Sequence, residues 1–259
     1  MNINTDKTTG LVLIQISDSH IFTNEEDDFS GVNSHLSLQL VLTKIRDDFP
    51  DYDLMLATGD LVQDREEAAY ENFLKILAQI NQPIYCLPGN HDDPELMKKV
   101  FGKVANLHFN RQVQMKNWSI LFLNSYKPTT HSGYLNKDEL NALRAELEKS
   151  KKLNVLICLH HHPVSINSEW MDGMMLENPD SFLEIVDQYD HVSGIVFGHI
   201  HQEFSQIRND VLLLGTPSTC AQFLPEAAEY GIDTKQPAYR CLKLKEDGSI
   251  ETEVIRVSL

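Results

Sequence analysis

A chain of 259 residues with 42% hydrophobic and 23% charged side chains is long enough to bury a sizeable core and has an ordinary soluble composition. Its formal net charge of −16, from 38 acidic and 22 basic side chains, repels polyanions and so excludes nucleic acid and anionic membranes as partners. No apolar run is long enough to span a bilayer, "MNINTDKTTG" lacks an export segment, and the four scattered cysteines read as reduced thiols, which together predict a cytoplasmic protein.

The first apolar run, "LVLIQIS" (11–17), is predicted to be a buried strand, and "LSLQLVLTKIRDDF" (36–49) has helical spacing. "YDLMLAT" (52–58) is the next strand, followed by a helix over 64–80 with Asp64 and Glu67 as a capping box. "PIYCLP" (83–88) is strand-like, and "DPELMKKVF" (93–101) is a helix with Asp93 as its cap and Pro94 at the first position. "WSILFLNS" (118–125) is a strand, and Asn136 with Glu139 offers a second capping box for "KDELNALRAELEKS". "NVLICLH" (154–160) and "VSGIVFGH" (192–199) are further buried strands. After residue 200 strand follows strand: "QEFSQIR", "VLLLGTP", "AYRCLKL" and "IETEVIRV". An alternating β-α beginning and a β-rich end predict two packed sheets with helices outside, and without linker or repeat the chain 1–259 reads as one domain.

A polar cluster stands where each of five strands stops. They are Asp18 and His20 in "ISDSH", Asp60 in "ATGD", Asn90 and His91 in "PGNHD", His160 to His162 in "CLHHHP", and His199 and His201 in "GHIH". Singly, each reads as a loop or capping group; together they read as a cleft at the carboxyl ends of the strands. In an extended chain residues i and i+2 point the same way, so DxH and HxH each aim two ligands at one point. Carboxylate, amide oxygen and imidazole suit Mn, Fe or Zn, and the lack of thiolate excludes a soft-metal site. Seven ligands suit two neighbouring ions that share a carboxylate, for which Asp60, midway through the set and after Gly59, is the natural bridge. Such a pair suits in-line displacement at phosphorus. Two carboxylates, two divalent ions and a hydroxide sum to roughly +1, which a singly charged diester neutralises.

In that order, D-x-H, GD, GNHD, a strand-terminal His and GHxH resemble the calcineurin-like metallophosphoesterases across residues 18–201. "GDLVQD", "LPGNHD", "LHHHPV", "GHIHQE" and "TPSTCAQF" resemble, more narrowly, the bacterial class III phosphodiesterases of 3′,5′-cyclic AMP. The resemblance implies a four-layer α/β–β/α sandwich with two mixed sheets and hydrolysis of a cyclic nucleotide. Another small diester (a 2′,3′-cyclic nucleotide or a glycerophosphodiester) and a non-catalytic scaffold are the alternatives. It further implies that Asp18, His20, Asp60 and His201 hold one divalent ion, and Asp60, Asn90, His160 and His199 the other. His161 is the second choice to His160. His91 and Asn90 are implied to be catalytic, His91 as donor or proton source, and the substrate to lie against His20, Asp60, Asn90, His91, His160 and His201.

Asp92 is expected to support its loop by hydrogen bonding. His35, His108, His131 and His191 are expected to be ordinary surface or packing residues. "SEWMDGMMLENP" (168–179) is either a core-packing helix or a flap over the site that contacts the base, and "TPSTCAQF" is a candidate wall of the same pocket.

Overall fold

Gly10–Ile16 is buried along its whole length because its alternating side chains serve two layers. Leu11 and Leu13 face a second sheet, whereas Val12, Ile14 and Ile16 face helices. The computed structural model, which describes residues 10–259, repeats this arrangement throughout. The first six-stranded sheet runs, in spatial order, Ile250–Arg256, Ala238–Lys245, Gly10–Ile16, Leu54–Ala57, Ile84–Cys86 and Leu107–His108. Its last four strands are parallel and the C-terminal pair joins them antiparallel. The second runs Phe204–Arg208, Val211–Gly215, Val192–Phe197, Asn154–Cys158, Trp118–Phe122 and Gln112–Met115. Its four central strands are parallel and both edges antiparallel.

Helices Ser34–Asp48, Glu67–Leu77 and Pro94–Phe101 pack on the outer face of the first sheet, and Lys137–Lys149 with Pro179–Val186 on that of the second. Leu13, Leu56, Trp118, Leu156 and Val196 are among the side chains that fill the space between the sheets. This is the four-layer α/β–β/α sandwich expected from the sequence. Among the described residues no helix is long and apolar enough to cross a membrane.

The helix caps are only partly as read. Asp93 accepts from the Glu95 and Leu96 N–H groups, and Asn136 from those of Asp138 and Glu139, so both cap as expected. Glu139 does not close its box, because its carboxylate pairs with Arg111 at 2.7 Å. Asp64 caps nothing: the helix begins later, at Glu67, and Asp64 accepts instead from the Thr23 N–H at 2.8 Å, pinning the loop after the first strand. The helix Pro179–Val186 has no counterpart in the sequence reading; Asn178 precedes it without a side-chain cap bond, unlike Asp93 before Pro94–Phe101.

Polar residues join the two sheets close to their carboxyl ends. Gln15 donates to Thr58 Oγ1 and accepts from Thr216 Oγ1. The buried Arg240 donates to Thr216 Oγ1 and to the Gly215 carbonyl. These bonds hold the strand ends of one sheet in fixed register with those of the other.

Candidate metal centre

The five polar clusters leave the carboxyl ends of parallel strands and meet in one place. Side-chain ligand atoms of Asp18, His20 and His201 lie within 4.8 Å of one another, as do those of Asp18, Asp60 and His160, and of His160, His161 and His199. Asn90 joins through its Oδ1, 3.2 Å from His160 Nε2. All seven candidate ligands are thus brought together.

They converge by a different route from the one expected. Asp18, His20, Asp60, His199 and His201 all have positive φ, between 46° and 69°, so neither DxH nor HxH is extended. Each left-handed residue other than glycine costs roughly 1–2 kcal/mol. Cross-links hold the turns: Asp18 N–H donates to the Gly59 carbonyl, His20 N–H to that of Asp60, and His199 N–H to the Asp18 carboxylate at 3.0 Å. Two glycines make room. Gly59 itself has φ of 94° and a Cβ there would stand 2.5 Å from His160 Nδ1, while a Cβ on Gly89 would collide with the Asp60 carboxylate. Strain concentrated in this way marks a site that the surrounding packing over-determines.

The imidazole tautomers show what the centre is built to hold. His20 Nδ1 donates to Gln63 Oε1 at 2.9 Å, and His201 Nδ1 to the Ala221 carbonyl at 2.8 Å. Both Nε2 atoms therefore present lone pairs, and they face each other at 3.1 Å. Burial, then the neighbouring His91, pushes His20 down to about 3, so no proton relieves that contact at neutral pH. A cation does. His160 Nδ1 donates to the Thr58 carbonyl at 2.8 Å, which turns Nε2 toward Asp60 Oδ2 at 3.3 Å. His199 Nε2 donates to the Met174 carbonyl, leaving Nδ1 as its free ligand atom. The donor set of carboxylates, amide oxygen and imidazoles fits two divalent cations.

Charge points the same way. Burial alone would lower the His160 pKa, but the Asp60 carboxylate raises it to about 9. Burial would raise Asp60, yet His160 and His91 hold it well below the usual carboxylate range. A position that favours a proton between imidazole and carboxylate also favours a metal ion, whose binding displaces that proton. Of the histidine run, His160 is the ring directed at Asp60 and Asn90. His161 Nδ1 meets Ser125 Oγ at 2.8 Å while its ligand atom lies with those of His160 and His199, and His162 lies 3.3 Å from Asp172.

His91 stands half-buried beside this cluster, its ring edge-on to His20 at 5.0 Å and its backbone N–H donating to Asp60 Oδ1 at 2.7 Å. Burial lowers its pKa, against the pull of the Asp60 carboxylate, which raises it. Asp92 faces away from the centre: its carboxylate accepts from the Gly89 and Leu61 N–H groups and from the Tyr70 hydroxyl. Burial, then Asp60, pushes Asp92 up to about 7. Asp92→Ala leaves three buried donors without an acceptor and is expected to lower unfolding free energy by about 2–3 kcal/mol in urea melts. An unchanged midpoint would mean that the loop holds itself.

His131 corrects its expected role. It lines the cavity, and its Nδ1 accepts from Asn90 Nδ2 at 3.1 Å, which turns the amide oxygen toward His160. Gln63, Phe29 and Arg65 were also missed; Arg65 donates to the Asn90 and His91 carbonyls and so steadies their loop. Gln63 lies within the quoted GDLVQD, where the resemblance marked only Asp60, whereas Phe29 and Arg65 come from loops with no pattern of their own. Both readings of 168–179 hold in part. A single turn, Glu169–Asp172, buries Met171 in the core, while Trp170 and Met174 line a cavity of about 330 Å³ that opens onto the centre.

The profile of the family described as calcineurin-like phosphoesterase matches residues 11–203. A 3′,5′-cyclic adenosine monophosphate phosphodiesterase, CpdA, from Pseudomonas aeruginosa is 36% identical, covering 95% of this chain and 90% of its own length. CpdA of Escherichia coli K12 is also 36% identical over 95% of this chain and 90% of its own. Among solved structures, a dimetal phosphatase from Danio rerio superposes with a TM-score of 0.67 at 14% identity, over 96% of this chain and all of that one, a likeness of fold.

Proposed function

The chain belongs to the calcineurin-like phosphoesterase family, and from that premise we propose that it hydrolyses 3′,5′-cyclic AMP to 5′-AMP at a dinuclear divalent metal centre. The observation that carries the chemistry is the set of four buried imidazoles, each with one nitrogen held by an acceptor; the ligand atoms of His20, His160 and His201 gather with the Asp18 or Asp60 carboxylate, and that of His199 with His160. In this reading Asp18, His20, Asp60 and His201 hold one ion, and Asp60, Asn90, His160 and His199 the other. The convergence of Asp18, His20 and His201, and the contact of His160 with both Asp60 and Asn90, support that division. The oxygen and nitrogen donor set accommodates Fe, Mn or Zn.

The bound ions supply Lewis-acid polarisation of the phosphodiester and of the attacking water. The protein does the rest. The substrate is assigned to lie against His20, Asp60, Asn90, His91, His160 and His201, and backbone cross-links from Asp18, His20 and His199 hold the turns of the centre in place. Water oxygen bonds to phosphorus, the bond to the 3′ oxygen breaks, and a proton ends on that oxygen. His91 stands at the cavity wall between His20 and His131; the anionic phosphate beside it favours its protonated form, from which it donates to the phosphate as negative charge grows and gives the leaving oxygen its proton. The four buried free thiols support a reducing, cytoplasmic setting.

The test is a metal-reconstituted assay of the purified chain against 3′,5′-cyclic AMP, 2′,3′-cyclic AMP and a glycerophosphodiester. Turnover of the first should exceed that of the others and vanish on chelation, returning with added Mn. A preference for either other diester would replace the substrate assignment. Metal that cannot be restored above a trace would make the fold a scaffold.

A further inference from the structure

The residues that converge on the metal centre occupy one wall of the cavity and leave another wall apolar. Phe29 lies face to face on His20, with centroids 4.2 Å apart and planes at 8°, and Phe223 lies on His201 at 3.9 Å and 10°. From Phe223 the aromatic surface continues outward to Trp170 at 5.1 Å and Tyr230 at 5.6 Å, which meet each other edge-on at 5.3 Å. These rings come from three separate parts of the chain: the loop after the first strand, the turn Glu169–Asp172, and the hairpin that pairs Gln222–Phe223 with Ile232–Asp233. Core packing does not account for them all. Tyr230 is 56% exposed, held by a 2.6 Å hydrogen bond between its hydroxyl and Ser30 Oγ. Trp170 is only partly buried and lines the cavity beside Met174.

A cyclic nucleotide carries its base one sugar ring away from the phosphorus. With the phosphate at the metal centre, a base reaching out from it has two surroundings to choose between: the polar side formed by Asn90, His91 and His131, and the aromatic side. A flat, π-rich, poorly hydrated ring stacks on the second. We propose that Phe29, Trp170, Phe223 and Tyr230 form the nucleobase subsite, on whose rings the base stacks. This rests on the cyclic-nucleotide reading of the centre, and it assigns the choice among diesters to the aromatic wall instead of to the metals.

The experiment compares wild type, Trp170→Phe and Trp170→Ala on 3′,5′-cyclic AMP and on the same cyclic ribose phosphate without a base. Wild type should favour the nucleotide in kcat/KM by about tenfold or more, mostly through KM, the size expected for stacking one base on an aromatic side chain. That preference should shrink roughly tenfold in Trp170→Ala and much less in Trp170→Phe, which keeps a ring for the base to stack on. A parallel loss on both substrates would overturn the subsite. Binding is read separately by fluorescence. The other tryptophan, Trp118, is fully buried with its Nε1 donating to the Lys245 carbonyl. A change on adding 5′-AMP to the metal-loaded protein therefore reports Trp170, and Trp170→Phe should abolish it; no change in wild type would count against the subsite. Wild type equally efficient on both substrates overturns the subsite alone, whereas wild type inactive on both overturns the cyclic-nucleotide reading and the subsite with it.

Discussion

Asp60→Asn is expected to lower kcat on 3′,5′-cyclic AMP by roughly a thousandfold or more and to reduce bound metal from two ions per chain to one or fewer. Asp60 is 2% exposed and has a task on each oxygen. Oδ1 accepts from the His91 N–H at 2.7 Å, and Oδ2 lies 3.3 Å from His160 Nε2 and 3.9 Å from His20 Nε2. The amide that replaces it keeps its oxygen on the His91 N–H, since the opposite orientation sets donor against donor. Its NH₂ then faces His160 and His20 and occupies the lone pairs that a cation needs. Shape is conserved but the ionised pair of Asp60 with His160 is lost, so the metal-free protein should be somewhat less thermally stable. Elemental analysis with steady-state kinetics checks the result. A variant that retains two ions and wild-type turnover would deny Asp60 its bridging place.

His91→Ala is the second large effect, with a different signature. Loss of a positioned donor or proton source costs about 10²–10³ in kcat, with a much smaller change in KM. Metal content should stay at two per chain, because alanine keeps the backbone N–H that anchors Asp60, and the ring makes no hydrogen bond that fixes its nitrogen on the centre as His160 is fixed. The neighbourhood makes this a demanding test. Ligand atoms of His20, Asp60 and His91 lie within 4.8 Å of one another, so His91 is close enough to be a ligand itself. If the alanine variant loses an ion, His91 belongs to the metal set and the proton must come from elsewhere. Partial rescue of kcat by added imidazole would support the acid–base role.

Much of the site was legible because its ligands are ordered by short-range rules. Each sits within a few residues of the end of a buried parallel strand, and buried strands announce themselves as apolar runs. Asp18, Asp60, Asn90, His160 and His199 could be ranked by that position alone. The geometry that aims them was not legible. Positive φ at Asp18, His20 and His199 follows from cross-links to Gly59, Asp60 and Asp18, residues distant in sequence, and local preference argues against it. Asp64 failed as a cap for the same reason: the Thr23 N–H, brought near only by folding, is its partner.

The amino-acid sequence by itself determined the layer order, the strand ends and the donor types, because period, burial and ligand chemistry are properties of residues and their immediate neighbours. Only the tertiary structure decided which nitrogen of each imidazole is free, that His131 turns the Asn90 amide, and that Phe29, Trp170, Phe223 and Tyr230 share one wall. Those features depend on main-chain carbonyls such as those of Thr58, Met174 and Ala221, and on loops that meet across the sandwich. A carbonyl is the same group at every residue, so its role is set by where the fold carries it.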